Sequence, residues 1–301
     1  MPYRNIIIQN EAALSLKNKQ IRIKTDTKEA TIPIEDVDTI LIESRQTTIS
    51  TSLLSALAGD GVALFVCDEF HLPCAVLTPF AQHSRHSEVA GKQLALGIST
   101  KKQLWKQIVS AKINNQSKCL LLCGEQAVSH ELATMAKNVR SGDAGHSEGY
   151  AAAKYFPALF GKGFIRGKTD DCRNAWLNYG YAIVRGCVAR SLAVYGFLPM
   201  IGLQHHSALN QFNLADDFIE PYRQIVDVFT AKYATCDDAL TSDIKNQLVN
   251  LINYDIALQD KRYTLSRAIE LTIQSFSAIC SGRAKTLLLP ELVELKMHTY
   301  E

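Results

Sequence analysis

The stretch GLQHHSALNQFNLADDFIEPYRQIVDVF, residues 202–229, brings together two histidines, a group of acids and the start of a helix. Asn213 stands three residues before Asp216, the spacing of a helix N-cap followed by an acid at its third position. We therefore predict a helix that begins at Leu214. Apolar side chains then recur at helical spacing and are predicted to form the buried face of this helix. They are Phe218, Tyr222, Ile225 and Phe229.

Acidic residues on the same predicted helix lie beside that apolar face. Residues three and four apart are neighbours on a helix, so Asp216 or Asp217 lies next to Glu220, at the margin of the core. Capping accounts for Asp216, because a helix N-terminus stabilises acids in any protein. It does not account for Asp217 and Glu220, which lie past the cap. We therefore treat these two acids, with the nearby His205 or His206, as a candidate site.

Composition places few limits on the function of this chain. Its 301 residues are enough for two domains or one large one, and its net charge of +2 gives no general preference for polyanions. Nucleic-acid binding would therefore depend on local basic patches. The eight cysteines are scattered without a CxxC pair, and we find no secretory signal and no apolar stretch long enough to span a membrane. We expect a cytoplasmic protein with no membrane segment, in which the cysteines are reduced core residues.

The hydrophobic pattern changes near residue 80. Residues 1–80 contain short alternating runs separated by turn residues, which predict a small antiparallel β-rich domain with one helix capped by Ser50. Residues 81–90 are polar and are predicted to be a linker. In residues 91–301 the apolar spacing is helical, which predicts a larger all-α domain with residues 174–195 as its buried central helix. The predicted fold class is therefore α+β, with packing or dimerisation as the role of the β-rich domain.

Three further features of the helical domain each have two interpretations. Residues 92–111 predict one long helix, and its basic run, which extends to Lys112, is typical of a solvated face but would also suit phosphates. Ser147 is the predicted cap of a helix with Glu148 in its first turn, where the helix dipole stabilises any acid. The loop of residues 161–171 suits either phosphate binding or a plain surface loop. Its basic residues are Lys162, Arg166 and Lys168.

Three separated segments together resemble one protein family. SGDAGHSEGYAAAKYF (residues 141–156), NAWLNYGYAIVRG (174–186) and GLQHHSALNQFNLADDFIEPYRQIVD (202–227) are similar, in this order, to the core motifs of the CRISPR adaptation integrase in its type II form. IPIEDVDTILIES (32–44) and CDEFHLPCAVLTPF (67–80) match in order as well. The resemblance therefore covers nearly the whole chain.

This resemblance implies a β-sandwich-like dimerisation domain joined to an all-helical catalytic domain with a divalent metal site. Type II relatives tend to carry a basic residue in place of Ser147 and a histidine in place of Tyr150. These departures concern local DNA contacts rather than the metal. The implied metal-binding and catalytic residues are Glu148, His205 and Glu220, with Asp217 and His206 as accessory candidates and Lys162, Arg166 and Lys168 as DNA-binding candidates.

Carboxylates with one imidazole form an oxygen-rich site that suits Mg²⁺ or Mn²⁺ better than structural zinc, which prefers thiolates. The implied reaction is transesterification, in which the 3′-hydroxyl of a short double-stranded DNA attacks a phosphodiester of a repeat array. The implied partners are a second copy of the chain, a small adaptation subunit, the RNA-guided effector nuclease and an accessory DNA-end-binding protein. Two alternatives remain: a metal-dependent DNA endonuclease that uses the same residues, and a non-catalytic DNA-binding scaffold whose acids only cap helices.

One structural expectation separates metal binding from capping. If Glu148 and Glu220 bind one metal ion, their carboxylates should lie within about 6 Å of each other, with His205 on the same side. Without the metal the two like charges would repel, so the pair should be hydrated, protonated or held by a lysine. Capping alone requires no such convergence.

Overall fold

A computed structural model of the chain describes residues 4–69, 71–77, 79, 85–168 and 171–299. Its contacts divide the chain into two units, Met1–His86 and Ser87–Glu301. The first unit is β-rich and the second is mostly helical, so the predicted α+β fold class is confirmed. No helix within the described ranges is long and apolar enough to cross a membrane.

Two four-stranded sheets form the N-terminal unit. One has the strand order β1 (Arg4–Ile8), β5 (Val37–Ile42), β7 (Ala63–Cys67) and β8 (Pro73–Leu77). The other has the order β4 (Glu29–Pro33), β3 (Gln20–Lys24), β2 (Ala13–Lys17) and β6 (Thr48–Ile49). The prediction of a purely antiparallel domain is wrong, because β1 and β7 both run parallel to β5, and β6 runs parallel to β2. Strand β5 is buried along its whole length, as a central parallel strand requires.

This unit also contains the helix α1 (Thr51–Asp60) and a 3-10 turn at Ile34–Asp36. Its N-cap is Ser50, as predicted, because the Ser50 side chain accepts a hydrogen bond from the Leu53 backbone at 3.3 Å. Gly61 ends the helix in the left-handed region, at φ 70°, where a residue with a side chain is strained. Buried side chains of both sheets and of α1 share one core, which includes Leu14, Ile40 and Leu53.

The second unit is built mainly of helices. They are α2 (His86–Leu94), α3 (Ile98–Leu122), α4 (Gln126–Lys137), α5 (Ser147–Phe160), α6 (Arg173–Val194), α7 (Asn213–Ile219), α8 (Arg223–Tyr233), α9 (Ser242–Asn250) and α10 (Leu265–Cys280). A two-stranded antiparallel hairpin, β9 (Asp255–Leu258) with β10 (Lys261–Thr264), interrupts the helices, so this unit is not purely α-helical as predicted. Short 3-10 turns occupy Ser141–Asp143, Glu220–Tyr222 and Leu251–Asn253.

Two predicted element boundaries differ from the structure. The single long helix predicted over residues 92–111 is wrong: α2 and α3 are separate, because Gly97 adopts an extended conformation at the start of α3. Of the predicted linker, residues 81–84 lie outside the described part of the chain, and the chain is helical from His86 onwards. The central helix predicted over residues 174–195 is confirmed as α6, and most of its residues are buried.

Helix α3 is central to the second unit. It contacts α4, α5, α7, α8 and the turn Glu220–Tyr222. Side chains on one α3 helix therefore reach segments that lie far apart in sequence. The eight cysteines are all free, but only Cys67, Cys119 and Cys187 are buried, so the expectation that most are core residues is only partly correct.

Candidate active site

The loop before α7 is held by a buried asparagine. The Asn213 amide oxygen accepts a hydrogen bond from Ser207 N at 3.2 Å, and its amide nitrogen donates to the carbonyls of Met200 and Ser207. Asp216 accepts from the Asn210 amide at 2.6 Å. The predicted capping box between Asn213 and Asp216 is therefore wrong, because both side chains bind the loop instead of the first backbone N–H groups of the helix.

Asp217 fixes the position of His205. Its carboxylate accepts hydrogen bonds from the backbone N–H groups of Leu203 and His205 at 2.5 and 3.2 Å, and it lies 2.8 Å from His205 Nδ1. A side chain at Gly202 would collide with the His205 carbonyl and with this carboxylate, so the turn requires glycine. Asp217 is fully buried and holds the histidine loop, while His206 is exposed on the same loop.

The His205 ring lies at the edge of the helical core. It packs edge-on against Trp105 of α3, with ring centroids 5.8 Å apart, and its side chain remains 42% exposed. The hydrogen bond with Asp217 raises the pKa of His205, and the negative charge of Glu220 adds to this effect. Because a carboxylate only accepts, Nδ1 carries the proton, and Nε2 bears the lone pair in the neutral ring.

Glu148 lies in the first turn of α5, as predicted, but a different residue caps this helix. The Asp143 carboxylate accepts hydrogen bonds from the backbone N–H groups of Ser147 at 2.8 Å and of Glu148 at 3.1 Å. The prediction that Ser147 is the cap is therefore wrong. Because Asp143 supplies the cap, the Glu148 carboxylate is not needed there and instead contacts Lys112 of α3 at 2.6 Å.

Glu220 lies in the 3-10 turn between α7 and α8. Its carboxylate contacts Lys112 Nζ at 2.5 Å and Arg223 Nε at 2.9 Å. Only 5% of the residue is exposed, so the expectation that the acids lie at the margin of the core is wrong for Glu220 as well as for Asp217. The cause is the pair of cations, which compensate a charge that would otherwise be costly to bury.

The two predicted carboxylates therefore converge on one ammonium group. Since Glu148 and Glu220 each have an oxygen within 2.6 Å of Lys112 Nζ, these oxygens lie at most about 5 Å apart. This confirms the expected approach, with a lysine between the acids. The His205 imidazole lies on the same side of α3, because it packs against Trp105, which stands seven residues, or two helical turns, before Lys112. Residues from α3, α5 and the 3-10 turn thus meet in one cluster, and the histidine loop packs against the same helix α3.

Electrostatics keep Glu220, Lys112 and Arg223 charged. Burial alone would raise the pKa of Glu220, but Arg223 and Lys112 outweigh burial and lower the pKa to about 2. Burial likewise opposes the charge on Lys112, yet the two glutamates raise its pKa above the ordinary value. The pKa of Arg223 is raised by Glu220 in the same way, against the effect of burial.

A cavity of about 410 Å³ adjoins the cluster. Its lining includes Lys112, Arg166, Arg223 and Glu220, so cations dominate its polar wall. Arg166 is held by the Asn174 and Asn178 amides and lies 5.2 Å from the centre of the Tyr181 ring. Of the loop residues predicted to contact DNA, Arg166 thus faces the site, whereas Lys162 and Lys168 are exposed.

A second buried carboxylate, that of Asp227, also lines this cavity. Asp227 accepts hydrogen bonds from the hydroxyl groups of Tyr155, at 2.8 Å, and Tyr181. Burial raises the pKa of Asp227 to about 6, because phenols compensate a buried charge less well than cations do. The Tyr181 ring in turn lies under the Arg223 guanidinium, with 4.6 Å between guanidinium and ring centre.

Sequence reasoning missed the two cations that hold the acids. Lys112 was interpreted as the end of a basic run, although it follows the buried Trp105 and Ile108 at helical spacing, which places it on the apolar face. Arg223 stands three residues after Glu220, the spacing of neighbours on a helix. These spacings are the signals that would have identified both cations.

The donor set fits a hard divalent cation. Two carboxylates and one imidazole Nε2 are ligands that Mg²⁺ and Mn²⁺ accept, and the carboxylates already share one cationic group. Glu220 Oε2 makes no hydrogen bond within the described residues and has only its ion contact with Lys112. Across the described ranges no three His, Cys, Asp or Glu side chains are arranged to hold a metal ion, and Lys112 lies between the two acids.

Comparison with known proteins identifies a family for this chain. Residues 6–248 match the family model of the CRISPR associated protein Cas1. The chain is 42% identical, over the full length of both proteins, to the CRISPR-associated endonuclease Cas1 of Neisseria meningitidis serogroup C (strain 8013).

Two solved structures share the fold. A casposase bound to integration product has a TM-score of 0.76 at 18% identity, with 94% of this chain and 92% of that chain covered. A Cas6-RT-Cas1–Cas2 complex contains a chain with a TM-score of 0.73 at 18% identity, with 97% of this chain and 36% of that chain covered. Since the family model spans most of the sequence, and the Neisseria relative matches all of it, the chain belongs to the CRISPR-associated Cas1 family.

Proposed function

We propose that this protein, as a Cas1 of the type II variety, joins the 3′-hydroxyl ends of short double-stranded DNA to a repeat array by metal-dependent transesterification. The observation that carries the proposal is the convergence of Glu148 and Glu220 on one buried ammonium group of α3, the helix against which His205 packs. Capping does not explain this arrangement, because Asp143 caps α5 and Glu220 lies after the first turn of α7. Membership of the Cas1 family and the fold of an integration enzyme support it.

Glu148, Glu220 and His205 would hold one Mg²⁺ or Mn²⁺ ion. When bound, such an ion acts as a Lewis acid on a scissile phosphate and favours the ionised form of an attacking hydroxyl. His205 is the stronger candidate of the two histidines, because Asp217 binds its Nδ1 and leaves Nε2 as the donor atom. Asp217 is then an accessory residue that orients the ligand, and His206 has no comparable partner among the hydrogen bonds of this loop.

The cations of the cluster have two roles in this proposal. Lys112 and Arg223 keep Glu220 ionised, which a metal ligand requires. They also line the cavity together with Arg166, so they would bind the phosphates of the DNA strand as it reaches the carboxylates. Lys162 and Lys168, exposed on the loop of Arg166, would contact the strand further out.

The reaction needs neither a covalent enzyme intermediate nor an energy source, because one phosphodiester bond is exchanged for another. The same residues would support hydrolysis if water replaced the 3′-hydroxyl. This second candidate is kept because the Neisseria relative is named an endonuclease. A scaffold without catalysis is disfavoured by the buried ion pairs of Glu220 with Lys112 and Arg223, which are costly unless they have a function.

The proposed assembly follows from the substrate. Both ends of a duplex must be joined, so we expect a homodimer through the β-rich unit and a small Cas2-like partner, in line with the partner named in the Cas6-RT-Cas1–Cas2 structure. The effector nuclease and a DNA-end-binding protein would select the donor DNA. A protein that acts on a chromosomal array would work in the cytoplasm.

A joining assay tests this proposal. The purified chain, its partner subunit, Mn²⁺ and an end-labelled duplex are mixed with a supercoiled plasmid that carries a repeat. The proposal expects label in the plasmid, loss of joining with Glu148→Gln, Glu220→Gln or His205→Ala, and joining retained with the neighbouring His206→Ala. A duplex with 3′-deoxy ends separates the two reactions. Cleavage of the plasmid without joined label, from either duplex, would favour the endonuclease.

A further inference from the structure

A buried asparagine on α3 connects three distant segments. Asn115 is completely buried. Its amide nitrogen donates hydrogen bonds to the carbonyls of Pro221 at 2.7 Å and Pro290 at 3.0 Å, and its amide oxygen accepts from Leu292 N at 2.9 Å. Both amide N–H groups and the carbonyl are thus used by backbone groups of other segments, which is how a buried amide avoids an unsatisfied polar atom.

One of these partners is the backbone next to Glu220. Pro221 lies in the 3-10 turn Glu220–Tyr222, which separates α7 from α8. A proline has no N–H group and interrupts the regular helical hydrogen bonds, so the path of the chain is less fixed there by its own backbone. The donation from Asn115 to the Pro221 carbonyl fixes this path beside the carboxylate. When the Gln224 side-chain amide is oriented to satisfy its hydrogen bonds, its nitrogen also donates to the Pro221 carbonyl, at 3.3 Å.

The same face of α3 also holds the Glu220 side chain. Lys112 stands three residues before Asn115, and residues three apart are neighbours on a helix. Lys112 therefore binds the Glu220 carboxylate while Asn115 binds the backbone one residue further on. Two adjacent positions of one helix thus set both the place and the direction of this carboxylate.

The other two partners belong to a segment we call the C-terminal strap, residues 283–299. The strap pairs with the hairpin of the second unit through Ala257 and Glu291, and Lys118 of α3 contacts Glu291 at 2.6 Å. A second, partly exposed connection to α3 is made by Gln107, whose side chain accepts from Leu287 N at 2.8 Å and donates to the Lys285 carbonyl at 3.4 Å.

We propose that Asn115 is a positioning residue that couples the C-terminal strap to the backbone of Glu220 and so sets the geometry of the proposed metal site. The inference rests on the proposed function for its catalytic consequence, but its structural part does not. Displacement of a ligand carboxylate by about 1 Å is enough to lower a rate by up to two orders of magnitude. Loss of the Asn115 hydrogen bonds is therefore expected to weaken metal binding by Glu220.

The structure offers a matched control for this proposal. Gln107→Ala removes two hydrogen bonds between α3 and the strap, as Asn115→Ala does, but Gln107 makes no hydrogen bond to the Pro221 turn within the described residues. Both variants should lower the thermal midpoint. Only loss of the Asn115 donor should affect the Glu220 turn. Asn115→Asp, which keeps the volume and the acceptor for Leu292 N but loses both donors, serves in place of Asn115→Ala if the alanine variant does not fold.

The first experiment needs neither metal nor DNA. Hydrogen exchange of the full chain is followed by mass spectrometry on peptides that span residues 217–229. We expect faster exchange of these amides in Asn115→Ala, or in Asn115→Asp, than in Gln107→Ala and the unaltered protein. Equal protection in all the proteins would overturn the inference, whatever the protein does with DNA.

The second experiment measures joining of a short duplex to a repeat plasmid as Mn²⁺ is varied. We expect the Mn²⁺ concentration for half-maximal joining to rise about tenfold in Asn115→Ala and to stay unchanged in Gln107→Ala. Equal Mn²⁺ dependence in the two variants would contradict the catalytic consequence. If the unaltered protein does not join DNA at all, the proposed function fails, and the exchange experiment alone decides the role of Asn115.

Discussion

Two buried carboxylates, Glu220 and Asp227, line one cavity, and their surroundings give them different pKa values. Glu220 is 5% exposed and Asp227 is 1% exposed, so burial opposes ionisation of both. Lys112 and Arg223 lower the pKa of Glu220 to about 2, whereas two phenol groups leave the pKa of Asp227 raised to about 6. The partners of a buried acid therefore decide its pKa.

The region of Glu220 is suited to binding cations, whereas Asp227 fixes the side chains that surround it. Around Glu220, two acids converge on one ammonium group, which is an arrangement that a divalent ion can replace. Around Asp227, the acceptor orders Tyr155 and Tyr181, and the Tyr181 ring supports Arg223. A substitution near one of these carboxylates can therefore be compared with the other region, or with a matched variant, as its reference.

The largest effect on stability is expected when the shared cation is removed. Lys112→Met leaves Glu148 and Glu220 close together with only Arg223 as counter-charge, which should lower the free energy of unfolding by roughly 3–5 kcal/mol. Mn²⁺ should restore part of this loss and should stabilise the variant more than the unaltered protein, because it takes the place of the ammonium group. Denaturant unfolding with and without Mn²⁺ measures both effects.

Lys118→Met is the control for that variant. Lys118 lies on the same helix and contacts Glu291 at 2.6 Å, but both side chains are substantially exposed. Breaking this pair should therefore cost about 1 kcal/mol or less and should not depend on Mn²⁺. Equal costs for the two variants would show that burial of the pair does not matter and would remove the basis of the comparison.

The next largest effect is the pH dependence that Asp227 confers. Its pKa is about 6 in the folded protein and near the ordinary 3.8 when unfolded, so the folded state binds more protons between these values. Stability from this group is therefore highest below about pH 4 and falls by roughly 3 kcal/mol as the pH rises to 6. Asp227→Asn should remove that slope.

The measurement is the difference between the unfolding free energies of the unaltered protein and Asp227→Asn from pH 4 to pH 7. Glu220 contributes in the opposite direction, because its lowered pKa adds stability that is present above its ordinary pKa and is lost as the pH falls towards 2. The difference between the two proteins cancels this contribution. If the unfolding free energies of the two proteins change in parallel with pH throughout, the pKa of Asp227 is not raised and the prediction is refuted.

A smaller effect is expected at the histidine. The hydrogen bond to Asp217 raises the pKa of His205, so Asp217→Asn should lower it, whereas Asp216→Asn, which acts only through its charge, should lower it less. The stability that this pair contributes is fully present below the ordinary histidine pKa and is lost as the pH rises through the raised value. NMR titration of the imidazole protons gives both shifts. Equal shifts in the two variants would contradict the assigned hydrogen bond.

Local pattern predicted much of the fold and most of the candidate site. Helical spacing identified α6 and the buried Phe218 face, and turn residues located the cap of α1, because these signals depend on neighbours in sequence. The same reasoning failed where a partner lies far away. Asp143 takes the capping role expected of Ser147, and Asn213 binds its own loop.

The strand directions and the buried ion pairs could not be derived from local spacing. Strands β1 and β5 are both short apolar runs, and the sequence of either run does not indicate that the two pair in parallel. Likewise, a lysine on an apolar helix face is typical of either a snorkelling side chain or a buried ion pair. The identity of the acids near Lys112 depends on the packing of α3 against three other segments.

We infer that Glu148, Glu220 and His205 bind one divalent ion at the position between the two acids where the Lys112 ammonium group lies. Electron paramagnetic resonance titration of Mn²⁺ into the purified chain tests it without DNA. We predict one bound Mn²⁺ per chain, binding weakened at least about tenfold by Glu148→Gln, and binding unchanged by Asp227→Asn. Equal Mn²⁺ binding by the unaltered protein and Glu148→Gln would contradict the claim.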